Sequence, residues 1–205
     1  MANPDALRQQ HAGTRVLQPT VKSHLAFTLL CALVMMVMFT LLRVALLVYN
    51  REMILDTPAS TFLEAFANGL RFDLRIVVYL SIPLLLALLS VKAMVQRGVM
   101  RFWLTAASSL ALFLGLMEMD FYREFHQRLN GLVFQYVKED PKTVMSMLWY
   151  GFPVVRYLLA WAVGTVVLYF AFRAADRVTR PQLPAAGTGA IRAAAPWYTR
   201  IAVFV

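Results

Sequence analysis

Long apolar stretches alternate with short polar ones along this chain, and their lengths set the reading. From His24 to Asn50 about 25 positions are apolar-rich. At about 1.5 Å per residue, that is enough to cross a hydrocarbon core about 30 Å thick. Similar runs at about 74–91, 99–119 and 153–175 predict three further spans. After Trp197 and Tyr198, which mark an interface, Ile201 to Val205 resume an apolar pattern. Those five residues are expected to open a fifth span and to place the chain as the N-terminal part of a longer protein.

The polar intervals carry their own periodicities. Between Asp56 and Arg75, Phe62, Phe66 and Leu70 recur on one helical face and Glu64, Asn68, Arg71 and Arg75 on another, while Thr61 with Glu64 fits a capping box. This predicts an amphipathic helix along the membrane surface that leads into the second span, where Pro83 after Ser81 predicts a kink. The largest polar interval runs from Glu118 to Pro153. In it Leu129, Leu132, Val133, Tyr136 and Val137 follow helical spacing, and a second helix is expected from Asp140 as N-cap and Pro141 at its first position to about Gly151. Small residues recur every four positions at Ala107, Ala111 and Gly115 and again at Ala160 and Gly164. Such residues let helices approach closely, so the third and fourth spans are expected to touch there.

The fold class that follows is an all-α integral membrane protein. It has four transmembrane helices, the start of a fifth, and amphipathic interfacial helices on the extracytoplasmic side. Residues 1–23 form a basic tail, 24–175 the four-span domain, 176–200 a basic loop and 201–205 the fifth span's beginning.

Composition agrees: 60% hydrophobic, 15% charged and a mean hydropathy of +0.61 are too apolar for an ordinary soluble domain. A net charge of +9 in a soluble protein would suggest nucleic acid. Here the cations cluster at the ends of apolar runs, so their expected partners are anionic lipid headgroups and no nucleic acid. One set of alternate loops holds eleven Lys and Arg against Asp5 and Asp176, and the other eight against nine acids. The N-terminus and the turn around Gly98 are therefore expected in the cytoplasm, with the protein multi-pass in the plasma (inner) membrane. Arg43, near the far end of the first run, is expected to snorkel outward. The first run is too long for a signal-peptide core, and the single cysteine, Cys31, allows no intrachain disulfide.

Chemistry is sparse. His11, His24 and His126 lie far apart, no metalloprotease, nucleophile-elbow, P-loop or dinucleotide pattern occurs, and Gly187 to Gly189 read as linker. Glu118, Asp120 and Glu124 sit among Arg123 and Arg128, and the plain reading pairs Asp120 with Arg123 and Glu124 with Arg128 on a helix surface. The functional reading gathers Arg71, Arg75, Arg123 and Arg128 at the outer surface around the phosphate of a lipid or substrate, which suits guanidinium geometry.

The stretches NGLRFDLR at Asn68 to Arg75, MDFYREFHQRLN and WYGFP resemble the N-terminal membrane region of the lipoteichoic acid synthase and phosphoglycerol transferase family. That family's outer domain belongs to the sulfatase and alkaline phosphatase superfamily. The resemblance implies a membrane anchor for an extracytoplasmic phosphoglycerol transferase, with phosphatidylglycerol as lipid partner and a threonine nucleophile and a divalent metal, manganese, in a catalytic domain beyond these residues. It adds Asp73 to the candidate lipid- or phosphate-binding residues. These residues alone are expected to be inactive, with no catalytic or metal-ligating residue among them. Phosphoethanolamine transferases share that design and stand as an alternative, and a stand-alone transporter or scaffold subunit is a further one.

Overall fold

The computed structural model describes residues 20–54, 58–126 and 140–180. Every regular element among them is helical: α1 Val21–Tyr49, α2 Ala59–Leu86, α3 Val91–Val95, α4 Arg97–Phe125, α5 Pro141–Gly151 and α6 Val154–Thr179, with short 3₁₀ turns after α1 and α2. Four of these, α1, α2 with its 3₁₀ extension to Leu89, α4 and α6, are long and apolar enough to cross a membrane. Residues 1–19 of the expected basic tail, the helix over Leu129 to Val137, Arg128 and the apolar run from Ile201 lie outside the described residues, and Val21 to Ser23, expected in that tail, already belong to α1 behind Thr20 as N-cap.

The four long helices run up and down, and α1 packs against α2, α4 and α6 in turn. Its seam is Phe27, Cys31, Met35 and Met38, all buried, at the helical spacing that keeps one stripe facing inward. Val77 and Leu84 of α2, Leu104 and Leu112 of α4, and Leu168 and Phe172 of α6 complete the core. The outward stripes, among them Leu29, Leu33, Leu41, Val163, Val167 and Phe170, remain exposed, as a bundle solvated by lipid requires.

Several expectations change in the fold. The surface helix and second span are one continuous helix of 28 residues, because nothing between Asn68 and Leu74 breaks the backbone. The capping box does not form: α2 begins at Ala59 behind Pro58, which makes no side-chain cap, and Thr61 already lies in the first turn. Pro83 sits inside α2, and its ring leaves the helix a backbone donor short. Neighbours supply donors on either side of it, the Trp103 indole N–H to the Leu80 carbonyl at 3.1 Å and His24 Nε2 to the Leu84 carbonyl at 2.9 Å. By contrast α5 starts as expected, with Asp140 Oδ2 accepting from the Thr143 amide at 3.2 Å and hydroxyl at 2.9 Å.

Helices α4 and α6 do pack together, but in a different register from the small-residue stripes. Ser109 meets Thr165 at 2.8 Å, and the Trp161 indole donates to the Ser109 carbonyl and hydroxyl, both at 3.0 Å. A Cβ on Gly164 would lie 2.5 Å from Leu112, whereas Ala160 is exposed. The α4 stripe faces α1 instead, where a Cβ on Gly115 would meet Leu42 at 2.8 Å.

One end of the bundle, formed by the start of α1 and α4 and the end of α6, is closed by an ion cluster. Asp176, 1% exposed, contacts Arg97 Nη1 at 3.3 Å, Arg101 Nε at 3.5 Å and Arg180 Nη2 at 2.7 Å. Arg97 also donates to Thr179 Oγ1 at 3.1 Å and to Ser23 Oγ at 2.8 Å, and the Ser23 hydroxyl donates to the Thr179 carbonyl. The Asp176 carboxylate raises the pKa of Arg180 above its ordinary value, so that guanidinium stays charged. Helix α6 continues to Thr179, so Asp176 and Arg177 belong to a helix, not to the expected loop.

Candidate functional site

Toward the other end of the bundle the helices separate. Both α2 and α4 pack on α1 but barely touch each other, and between them lies a cavity of about 1050 Å³. Its floor is α1, through Phe39, Leu42 and Leu46. The α4 wall is lined by Ala106, Ala107, Ala111 and Gly115, whose small side chains leave the space that larger ones would fill. Phe72 and Ile76 on α2 and Leu110 and Leu114 on α4 line it too and are exposed on the bundle's outer face, so the cleft opens sideways. Trp103 and Tyr122, both lining it, are 19 residues apart on α4; the cavity thus extends about 28 Å along that helix.

Polar groups crowd one end. Arg43, Asn50, Asn68, Asp73, Glu118 and Tyr122 line it there. Arg43 does not snorkel outward as expected. It turns inward, its Nη2 2.6 Å from Asp73 Oδ2 and its Nη1 donating to the Phe66 carbonyl at 3.1 Å. Gly69 makes room for it, since a Cβ there would lie 1.6 Å from Arg43 Nη1. The reason is energetic: a guanidinium within an apolar stretch is stabilised more by a carboxylate and a carbonyl in reach than by a long climb to water. The two side chains are 17% and 10% exposed, so the pair is largely removed from solvent.

Beside the cavity Asp120 is also buried, its Oδ1 accepting from the Tyr49 hydroxyl at 2.6 Å, with Tyr157 of α6 close to both. The expected surface pair of Asp120 with Arg123 is therefore replaced by an interhelical bond. Arg123 is exposed and lies over the Tyr49 ring at 5.7 Å.

The residues singled out from sequence are thus divided. Asp73 lines the cavity. Arg71 and Arg75 stand two positions either side of it, about 200° around the helix, and touch only the cavity's rim: Arg71 is exposed with Nη1 3.4 Å from Asn68 Oδ1, and Arg75 is exposed over the Phe72 ring at 5.1 Å. Neither they nor Arg123 line the cavity, and Arg128 lies outside the described residues. Arg43, Asn50, Glu118 and Tyr122 were not singled out as binding residues. The signal for Arg43 in the sequence was an arginine stranded in an apolar run, which in a membrane favours pairing with an acid such as Asp73.

Among the described residues no three His, Cys, Asp or Glu side chains converge in a way that could hold a metal ion. No family model matches this chain, and no solved structure does.

Proposed function

We propose that these helices form a lipid-holding membrane domain, with an acyl chain in the cavity between α1, α2 and α4 and the headgroup at its Arg43–Asp73 end. The observation that carries this is the cavity's form: long, apolar, open sideways between α2 and α4, and charged at one end only. A hydrocarbon chain entering from the bilayer meets small and branched apolar side chains, while a headgroup meets amide, hydroxyl and ionic groups. The Lys and Arg distribution supports placing that end at the extracytoplasmic face. In this orientation the start of α2 and the short α5 are interfacial elements, their exposed Leu63, Met145 and Trp149 resting on lipid.

The family resemblance carries the reading one step further, to phosphatidylglycerol as the lipid and to a partner domain that transfers its phosphoglycerol group outside the cell. On that reading the described residues supply binding and presentation and none of the bond-breaking groups. The test is lipid binding by the purified chain in detergent, followed by native mass spectrometry with phosphatidylglycerol, phosphatidylethanolamine and diacylglycerol. Ala107→Phe, which puts a ring into the cavity, is expected to lower retention about tenfold with the unfolding temperature unchanged. Retention equal to wild type would remove the cavity as the binding site. Preference for phosphatidylethanolamine would move the reading to the phosphoethanolamine transferases.

A further inference from the structure

At the end of the bundle remote from the Arg43–Asp73 pair, five arginines gather around one carboxylate. Asp176 is already enclosed by Arg97, Arg101 and Arg180. Arg173 and Arg177 stand on the same face of α6 as Arg180, at the i, i+4, i+7 spacing that aligns side chains along a helix. With Arg101, Tyr169 and Asp176, these three arginines surround a hollow of about 310 Å³. Asp176 is the sole acid among the residues lining it, and its oxygens already meet Arg97 and Arg180. The Nε of Arg101 is buried and, although 3.5 Å from Asp176 Oδ2, makes no hydrogen bond.

A basic helix end is commonly no more than a solvated face. Two features separate this one from that: the single carboxylate in its lining is buried and already hydrogen-bonded to Arg97 and Arg180, and the Arg101 Nε, 3.5 Å from it, is buried without a hydrogen bond. We propose that the hollow binds a phosphate-bearing anion, held by Arg101, Arg173, Arg177 and Arg180. Guanidinium groups bind phosphate oxygens through paired N–H donors. The volume suits one headgroup or a free phosphate, and Tyr169 lies where α6 passes from apolar to basic residues. Basic pockets between transmembrane helices take anionic headgroups for the same reason. Asp176 then acts as the strut that keeps Arg101 and Arg180 apart and aimed, and the anion completes the charge balance.

The experiment uses the full chain in detergent and the double variant Arg173→Gln and Arg177→Gln, which leaves every ion pair to Asp176 in place. Three probes are titrated at fixed ionic strength: dioctanoyl phosphatidylglycerol, inorganic phosphate and dioctanoylglycerol. Phosphorus co-purifying with each protein is assayed alongside. The wild type is expected to bind phosphatidylglycerol, or to carry phospholipid already. The double variant is expected to bind roughly ten- to thirtyfold more weakly, and dioctanoylglycerol should not distinguish the two proteins. Phosphate binding with the same dependence on the arginines assigns the site to the phosphate group itself; phosphatidylglycerol alone assigns it to the membrane. Equal binding and equal phosphorus content in wild type and variant overturn the proposal. So does an equal loss of dioctanoylglycerol in the variant. Should the double variant fail to fold, Arg177→Gln, at an exposed position, gives the same comparison.

Discussion

Arg43 and Asp73 show how a single pair of residues can decide the character of a membrane site. Each alone is a charge in an apolar surrounding; together they form a 2.6 Å contact that holds α1 and α2 at the cavity's polar end. Removing one partner strands the other, and for a buried pair the loss is about 3–5 kcal/mol, whereas replacing both with apolar groups of similar volume is near neutral. Asp73→Ala should therefore lower stability in detergent by an amount toward that range, and Arg43→Met with Asp73→Leu should restore most of it. A double-mutant cycle with no coupling between the two positions would contradict the pairing. Gly69 belongs to the same unit. Gly69→Ala places a methyl group where the Arg43 guanidinium lies, so it should reproduce part of the Asp73→Ala defect although no charge is lost.

Among the elements, the contact between α4 and α6 separates sequence pattern from packing. Both helices carry small residues at four-residue spacing, yet only Gly164 of the α6 pair faces α4, against Leu112. Ala160 is turned outward. Gly164→Ile should force the helices apart and destabilise the bundle by about 1–3 kcal/mol, the usual range for overpacking. Ala160→Ile should change stability little. Equal effects, read as shifts in unfolding midpoint, would mean that the stripe as a whole forms the interface. The polar contacts of Trp161 and Thr165 with Ser109 hold the register, because sliding by one turn would separate these donors and acceptors within an apolar medium.

At the scale of the whole molecule, the two polar ends differ in kind: five arginines around one carboxylate at one, and a cavity lined by one arginine and two carboxylates at the other. If the excess of cations fixes the former in the cytoplasm, cysteine labelling with a membrane-impermeant reagent in intact cells should modify Ser60→Cys and spare Gly98→Cys. Both positions are exposed, and Cys31, fully buried, is out of the reagent's reach. Labelling in the opposite pattern would reverse the orientation and with it the placing of the lipid headgroup. The number and approximate position of the long helices, the helix start at Asp140 and the Lys and Arg asymmetry follow from local composition and periodicity. These are properties that each stretch of chain has by itself, since apolar length and a capping side chain act within a few residues. What Arg43, Asp120 and the small residues of α4 face depends on which helices stand beside them and at what rotation. Only the packed bundle decides that, because an arginine's partner 30 residues away and a cavity between three helices exist only once separate segments are brought side by side.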